Sequence, residues 1–260
     1  MRLTILFFLV ILLKQFFMEQ FSNYTVEGTQ LGSKNIAKSF MSNVFSWMFV
    51  ALAVSTAFAF AFSSNETLLS YLIGERGLTG LGKITMFAPL IFVLVMSFGF
   101  ARLSAPVLTL LFVAYAAITG ISFSFILLVY TQGSVITCFA AAASMFGIMA
   151  VMGYTTKQDL TSFGRILSMG LIGIVIASLI NMFMGNPTID YIISIVGVAV
   201  FTGLTAYDVQ KLKNIGAGIG AEGISENDVK KLSIFGALTL YLDFINLFLM
   251  LLRLFGSKRD

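Results

Sequence analysis

Apolar residues arrive along this chain in long unbroken blocks, not in the alternation expected of a strand or the one-sided stripe of a soluble helix. Seven blocks stand out: Val44–Phe62, Ile84–Ala101, Pro106–Tyr130, Val135–Gly153, Ile166–Met184, Ile189–Tyr207 and Ile234–Leu252. Each is close to the roughly 20 residues a helix needs to cross about 30 Å of hydrocarbon. Continuous apolarity argues for helices over barrel strands, which would alternate. The breaks carry turn chemistry, as in Gln132-Gly133-Ser134 and Gly185-Asn186-Pro187. The pattern predicts an all-α integral membrane protein, a seven-transmembrane-helix bundle occupying residues 44–256.

The remaining segments are short. Leu3–Leu13 is apolar but too brief to span, and Lys14-Gln15-Phe16-Phe17 follows it without a small-residue cleavage site. Residues 1–17 are therefore read as a hydrophobic extension, either preceding a natural start at Met18 or forming an accessory interfacial helix. Residues 18–43 read as a polar N-terminal segment and 257–260 as a short tail. Ser63–Lys83 mixes polar and apolar residues suited to a membrane surface. The glycine-rich stretch Asn214–Asn227 reads as a flexible loop. On the first block Ala51, Ser55 and Ala59 recur every four residues, a spacing that lets helix backbones approach closely and that general packing explains.

Composition narrows the chemistry. Hydrophobic residues make up 58% of the 260 and charged residues 11%, against about 25% charged in soluble domains, so most of the surface faces lipid. With no histidine and a single cysteine, Cys138, Ser-His-Asp and Cys-His catalysis, histidine zinc sites and an intrachain disulfide are excluded. A net charge of +4 comes mainly from Lys and Arg in short connections, which argues for membrane topology, not nucleic acid. Lys34, Lys38, Arg102, Lys157, Arg165, Lys211, Lys213, Lys230 and Lys231 fall on one side; Arg76, Lys83, Arg253, Lys258 and Arg259 fall on the other. That excess places the N-terminus in the cytoplasm and the C-terminus outside.

Against this apolar background, Asp243 is conspicuous. It lies ten residues into the last block, where an acid costs about 2.5–3.5 kcal/mol on insertion scales. Gly236, Thr239 and Asn246 lie on the same helical stripe, and Leu240, Phe244, Leu247, Phe248 and Leu251 cover other directions. Asp208 closes the sixth block, where a carboxylate faces the negative end of the helix dipole. Arg102, just past the second block, is a candidate counter-ion as well as a topology marker. Two carboxylates in one low-dielectric site cannot both ionise cheaply, so such a pair titrates as a unit and forms a proton sensor. With Asn246 and water they supply too few oxygens for tight calcium binding, which suits transient binding during permeation.

The run Leu240-Tyr241-Leu242-Asp243-Phe244-Ile245-Asn246-Leu247-Phe248, then Leu251-Leu252-Arg253, closely resembles the last-span signature of the Bax inhibitor family, the transmembrane Bax-inhibitor-motif proteins. Tyr207-Asp208-Val209-Gln210 is similar to that family's acidic segment. The resemblance covers about residues 40–256. It implies a calcium-leak channel opened according to protonation of a di-aspartyl pair, Asp208 and Asp243, with Arg102 latching the closed state. No cofactor is expected beyond calcium as permeant ion. A proton-coupled calcium exchanger using the same acids, and a regulator that binds a membrane protease or cell-death factor, are the competing readings. An intramembrane aspartyl protease is disfavoured because neither acid sits in a Gly-x-Gly-Asp arrangement. The compact chain and short tail favour a bacterial inner membrane over the endoplasmic reticulum.

Overall fold

A computed structural model describes residues 33–75, 77–100, 102–222 and 225–259. The expected extension over residues 1–17, and the segment up to residue 32, lie outside the described residues. The elements are α1 (Ser33–Ser64), α2 (Glu66–Ser70), β1 (Ile73–Gly74), β2 (Gly77–Leu78), α3 (Gly80–Gly99), α4 (Ala105–Val129), α5 (Gln132–Thr155), α6 (Thr161–Met184), α7 (Pro187–Glu222) and α8 (Glu226–Phe255). Seven of the eight helices among the described residues, all but the short α2, are long and apolar enough to cross a membrane. The fold is the expected seven-helix bundle.

Helix ends follow local chemistry. Thr79 and Thr131 accept hydrogen bonds from the backbone N–H groups of Gly82 and Ser134, and Ser225 accepts one from Asp228 N–H, each satisfying a donor that the first turn leaves open. α6 stops at Gly185 in the left-handed conformation, φ 65°, the usual glycine termination. Asn186 then accepts from the N–H groups of Thr188 and Ile189, and Pro187 opens α7 at a position that needs no donor. Between α1 and α3, β1 and β2 form a minimal antiparallel hairpin beside α2. The tail is not loose: Thr131 N–H donates to Ser257 O and Arg259 N–H to Val129 O, pinning it to the α4–α5 turn.

The bundle is organised around its last helix. α8 packs on α1, α4, α5 and α7, and every residue from Lys231 to Leu252 is buried. The expectation that the apolar residues flanking Asp243 simply cover other directions becomes more specific, because those directions are also enclosed by protein. α3 packs along its length on α4, and α6 on α7, so these two lie at the periphery. α1 and α4 make the most extensive pairing. A Cβ on Gly120 would collide with the Ser55 backbone carbonyl, and Ala51, Ser55 and Ala59 are all buried. The small-residue spacing of the first span thus serves close helix approach.

One expectation is overturned. The glycine-rich stretch read as a loop over Asn214–Asn227 is helical through Glu222, and the next helix begins at Glu226. Its glycines act as contact points: a Cβ on Gly216 would lie 2.9 Å from Phe40 Cδ1 and 3.3 Å from Ala37 Cα. The early turns of α1, also counted as a polar segment, extend that helix back to Ser33 and pack on α7. The connection between the two candidate acids is therefore short and mostly rigid helix.

Candidate functional site

α7 and α8 run antiparallel, and two contacts fix their register. Gly197 faces Met250, where a Cβ would lie 2.7 Å from the Sδ atom, and Gly236 faces Leu212, 2.9 Å from its Cδ2. Reading inward from both contacts, Asp208 lies level with Thr239–Leu240 and Asp243 level with Leu204–Thr205. The acids are thus offset along the helix axes by three or four residues, about 5 Å at 1.5 Å per residue. Helical rotation of 100° per residue places Asp208 within about 40° of both Gly197 and Leu212, and Asp243 within about 20° of both Gly236 and Met250. Both acids therefore occupy the faces where the two helices meet. Each is 0% exposed.

The same register sets a threonine across from each acid. Thr239 of α8 lies at the level of Asp208, and Thr205 of α7 at the level of Asp243. Both threonines are buried, and Thr205 Oγ1 donates to Phe201 O at 2.9 Å within its own helix. One turn beyond Asp243, Asn246 donates through Nδ2 to Leu242 O at 2.5 Å, while its Oδ1 is buried without a hydrogen-bond partner. Asn246 therefore retains an acceptor directed into the protein. Nearby, Tyr241 OH and Ser55 Oγ are hydrogen-bonded at 2.7 Å, and Ser55 Oγ donates onward to Ala116 O at 2.8 Å. That small chain joins α1, α4 and α8. Among the described residues no three acidic, histidine or cysteine side chains gather into one cluster, so a cation meeting the acids would draw its other oxygens from amides, hydroxyls, carbonyls and water.

Arg102 is not brought to the acids. It is exposed in the α3–α4 turn, where its backbone N–H donates to Gly99 O at 2.9 Å. The cation built into this end of the bundle is Lys231, only 7% exposed. Its Nζ lies 3.4 Å from Phe100 O and 3.7 Å from Asp228 Oδ1, and 5.7 Å from the centre of the Phe100 ring. Phe100 also meets Phe235 edge to face at 4.8 Å, and Ala105 N–H donates to Asn227 Oδ1 at 3.4 Å. The end of α3 is thereby fastened to the first turns of α8.

A family model described as "Inhibitor of apoptosis-promoting Bax1" matches residues 37–260. The chain belongs to the Bax inhibitor family. Among curated proteins it is 46% identical over 222 residues to the inner membrane protein YbhL of Escherichia coli K12, covering 85% of this chain and 93% of that one. It is 41% identical over 232 residues to an uncharacterised protein of Deinococcus radiodurans, with 89% and 96% covered. A Rickettsia prowazekii protein, RP147, is 40% identical over 223 residues, with 86% and 91% covered. None of these three names is that of an enzyme.

This Bax inhibitor family member is an integral protein of the bacterial inner membrane, in keeping with YbhL and with its seven spanning helices. Of the residues singled out from sequence, Asp208, Asp243, Thr239 and Asn246 fall on or beside the α7–α8 contact, and Arg102 stands apart at the surface. Three contributors were missed. Thr205 lies inside the sixth apolar block with nothing to single it out, Lys231 was one of a pair of basic residues marking topology, and Ser55 was one position in a small-residue repeat. Lys231 alone carried a further signal, since it precedes the last apolar block by only three residues and so had to be accommodated at the bundle's edge.

Proposed function

We propose that this protein is a passive, pH-sensitive cation leak with calcium as its ion, oriented with the N-terminus in the cytoplasm, in which Asp208 and Asp243 share a proton that governs permeation. The observation that carries this reading is the complete burial of both acids on the abutting faces of α7 and the enclosed α8. Charged side chains in membrane interiors are expensive and commonly mark ion or proton pathways. Two carboxylates facing one low-dielectric contact repel when both are ionised, and that repulsion biases a two-state equilibrium in which their approach differs. Gain or loss of one proton at this contact is the proposed switch. Asn246 and the paired threonines supply neutral oxygens beside it, which favour brief cation contact over storage.

Calcium flux into dye-loaded liposomes across a pH series tests the assignment. Asp208→Asn and Asp243→Asn should each flatten or displace the pH profile, and profiles unaltered in both variants would remove the sensor. Uphill calcium movement driven by a proton gradient would replace the leak with coupled exchange. Absence of flux together with a stoichiometric co-purifying protein would favour a regulator of a membrane protease or cell-death factor.

A further inference from the structure

α1 and α5 both lean on α7 and α8 but do not pack along one another, and the space between them is an open groove of about 500 Å³. Its walls include Met41, Phe45 and Met48 from α1 and Ala143, Gly147 and Ala150 from α5, with Phe244 of the central helix at its floor. Lys38, Tyr154 and Thr155 close one end. Lys213 reinforces that end, its Nζ bonding Tyr154 O at 2.8 Å and lying 5.4 Å from the centre of the Tyr154 ring.

We infer that the groove holds one acyl chain of an anionic phospholipid, with the lipid's phosphate held at Lys38 and Lys213. Three observations select this occupant. Both walls belong to membrane-spanning helices, so the groove opens towards hydrocarbon, and an apolar space of this kind is filled by chains and not by water. From Lys38 to Phe49 on α1, and from Ala143 to Thr155 on α5, the lining covers about 17–18 Å at 1.5 Å per residue, close to half of a roughly 30 Å bilayer core. It matches one leaflet. The two lysines stand only at the interfacial end, as in basic pockets between spans that take anionic headgroups. The floor is Phe244, next to Asp243, so the chain lies against the helix that carries the buried acid. This inference rests on the spans and the groove, and does not require the leak reading.

The full chain, delipidated in detergent and offered phosphatidylglycerol or phosphatidylcholine with matched acyl chains, can be examined by native mass spectrometry. One phosphatidylglycerol per chain should remain bound in preference to phosphatidylcholine. Gly147→Leu tests occupancy, because a Cβ there meets nothing within 4 Å and a larger side chain fills the groove without striking the fold. Retention should fall at least about tenfold in Gly147→Leu, with unchanged melting of the lipid-free protein. Lys38→Gln should reduce the preference for phosphatidylglycerol about fivefold, leaving phosphatidylcholine unaffected. Equal retention of both lipids by the wild type, undiminished binding to Gly147→Leu, or a lipid-free dimer in which a second copy covers the groove would each overturn the assignment.

Discussion

Two glycines on α5 offer a matched test of what holds the acid-bearing helix in place. A Cβ on Gly153 would run into the carbonyl oxygen of Ala206 and lie 2.8 Å and 2.9 Å from its Cα and C atoms, whereas one on Gly147 meets nothing within 4 Å. Carbon atoms prefer about 3.5–4.0 Å, so Gly153→Ala must part α5 from α7 by roughly 1 Å, two residues before Asp208. Backbone cannot rotate away as a side chain can. Overpacking of this kind costs about 1–3 kcal/mol, while either substitution gains about 1 kcal/mol in helix propensity. The propensity gain cancels between the two variants, leaving the close approach as their difference. Gly147→Ala should be neutral or slightly stabilising, and Gly153→Ala should melt lower than Gly147→Ala by about 2–12 °C, taking roughly 2–4 °C per kcal/mol for a chain of this size. Thermal unfolding of both in the same detergent, followed by helical circular dichroism, provides the comparison. Equal melting temperatures would refute the close contact between α5 and α7.

Ser55→Ala should destabilise by about 1–3 kcal/mol because it removes the Ser55 partner of the buried Tyr241 hydroxyl, whereas Tyr241→Phe should cost less, since Ser55 keeps Ala116 O as its acceptor; reversible unfolding of both variants checks the order. Lys231→Ala should raise hydrogen exchange across residues 97–105 and increase basal calcium flux more than Arg102→Ala does; the reverse ranking would restore Arg102 as the latch. Asp159 accepts hydrogen bonds from both Thr161 N–H and Thr161 Oγ1, which hold its carboxyl below the usual carboxylate range. Any stability it lends the α5–α6 connection is present above that range and lost as pH falls through the lowered value, and site-resolved carboxyl NMR should show the depressed titration.

The spans were legible because membranes make the code simple: length plus apolarity specifies a crossing, and Gly185-Asn186-Pro187 marks a break. Asp208 and Asp243 were legible for the complementary reason, since a costly residue needs an explanation. The central position of α8 was not, because lipid tails are as apolar as Leu, and a uniformly apolar helix reads alike whether protein or bilayer surrounds it. The continuation of α7 past Lys211 and Lys213 was hidden by glycine composition. Gly216 suggests flexibility until Phe40 and Ala37 are seen packed against it. Likewise, nothing in the spacing of Asp208 and Asp243 reveals their register, which depends on Gly197 meeting Met250 and Leu212 meeting Gly236.

That arrangement constrains how a path past the acids could open. α8 is held by four helices, so moving it would disturb packing on every side, and interiors at native density do not deform continuously. α3 rests along its length on α4 among the described helices, and its far end meets α8 through contacts that include Lys231 to Phe100 O and the Phe100–Phe235 ring pair, beside the Asn227–Ala105 bond to the start of α4. A peripheral helix can shift at lower cost than an enclosed one. The acids sit at the α7–α8 contact and the attachments at the first turns of α8, so a small change in how α7 meets α8 reaches the α3 fastening through a single rigid helix. Under the proposed leak, the gating element expected from this packing is α3, with Lys231 as its fastening and the acid pair as its trigger.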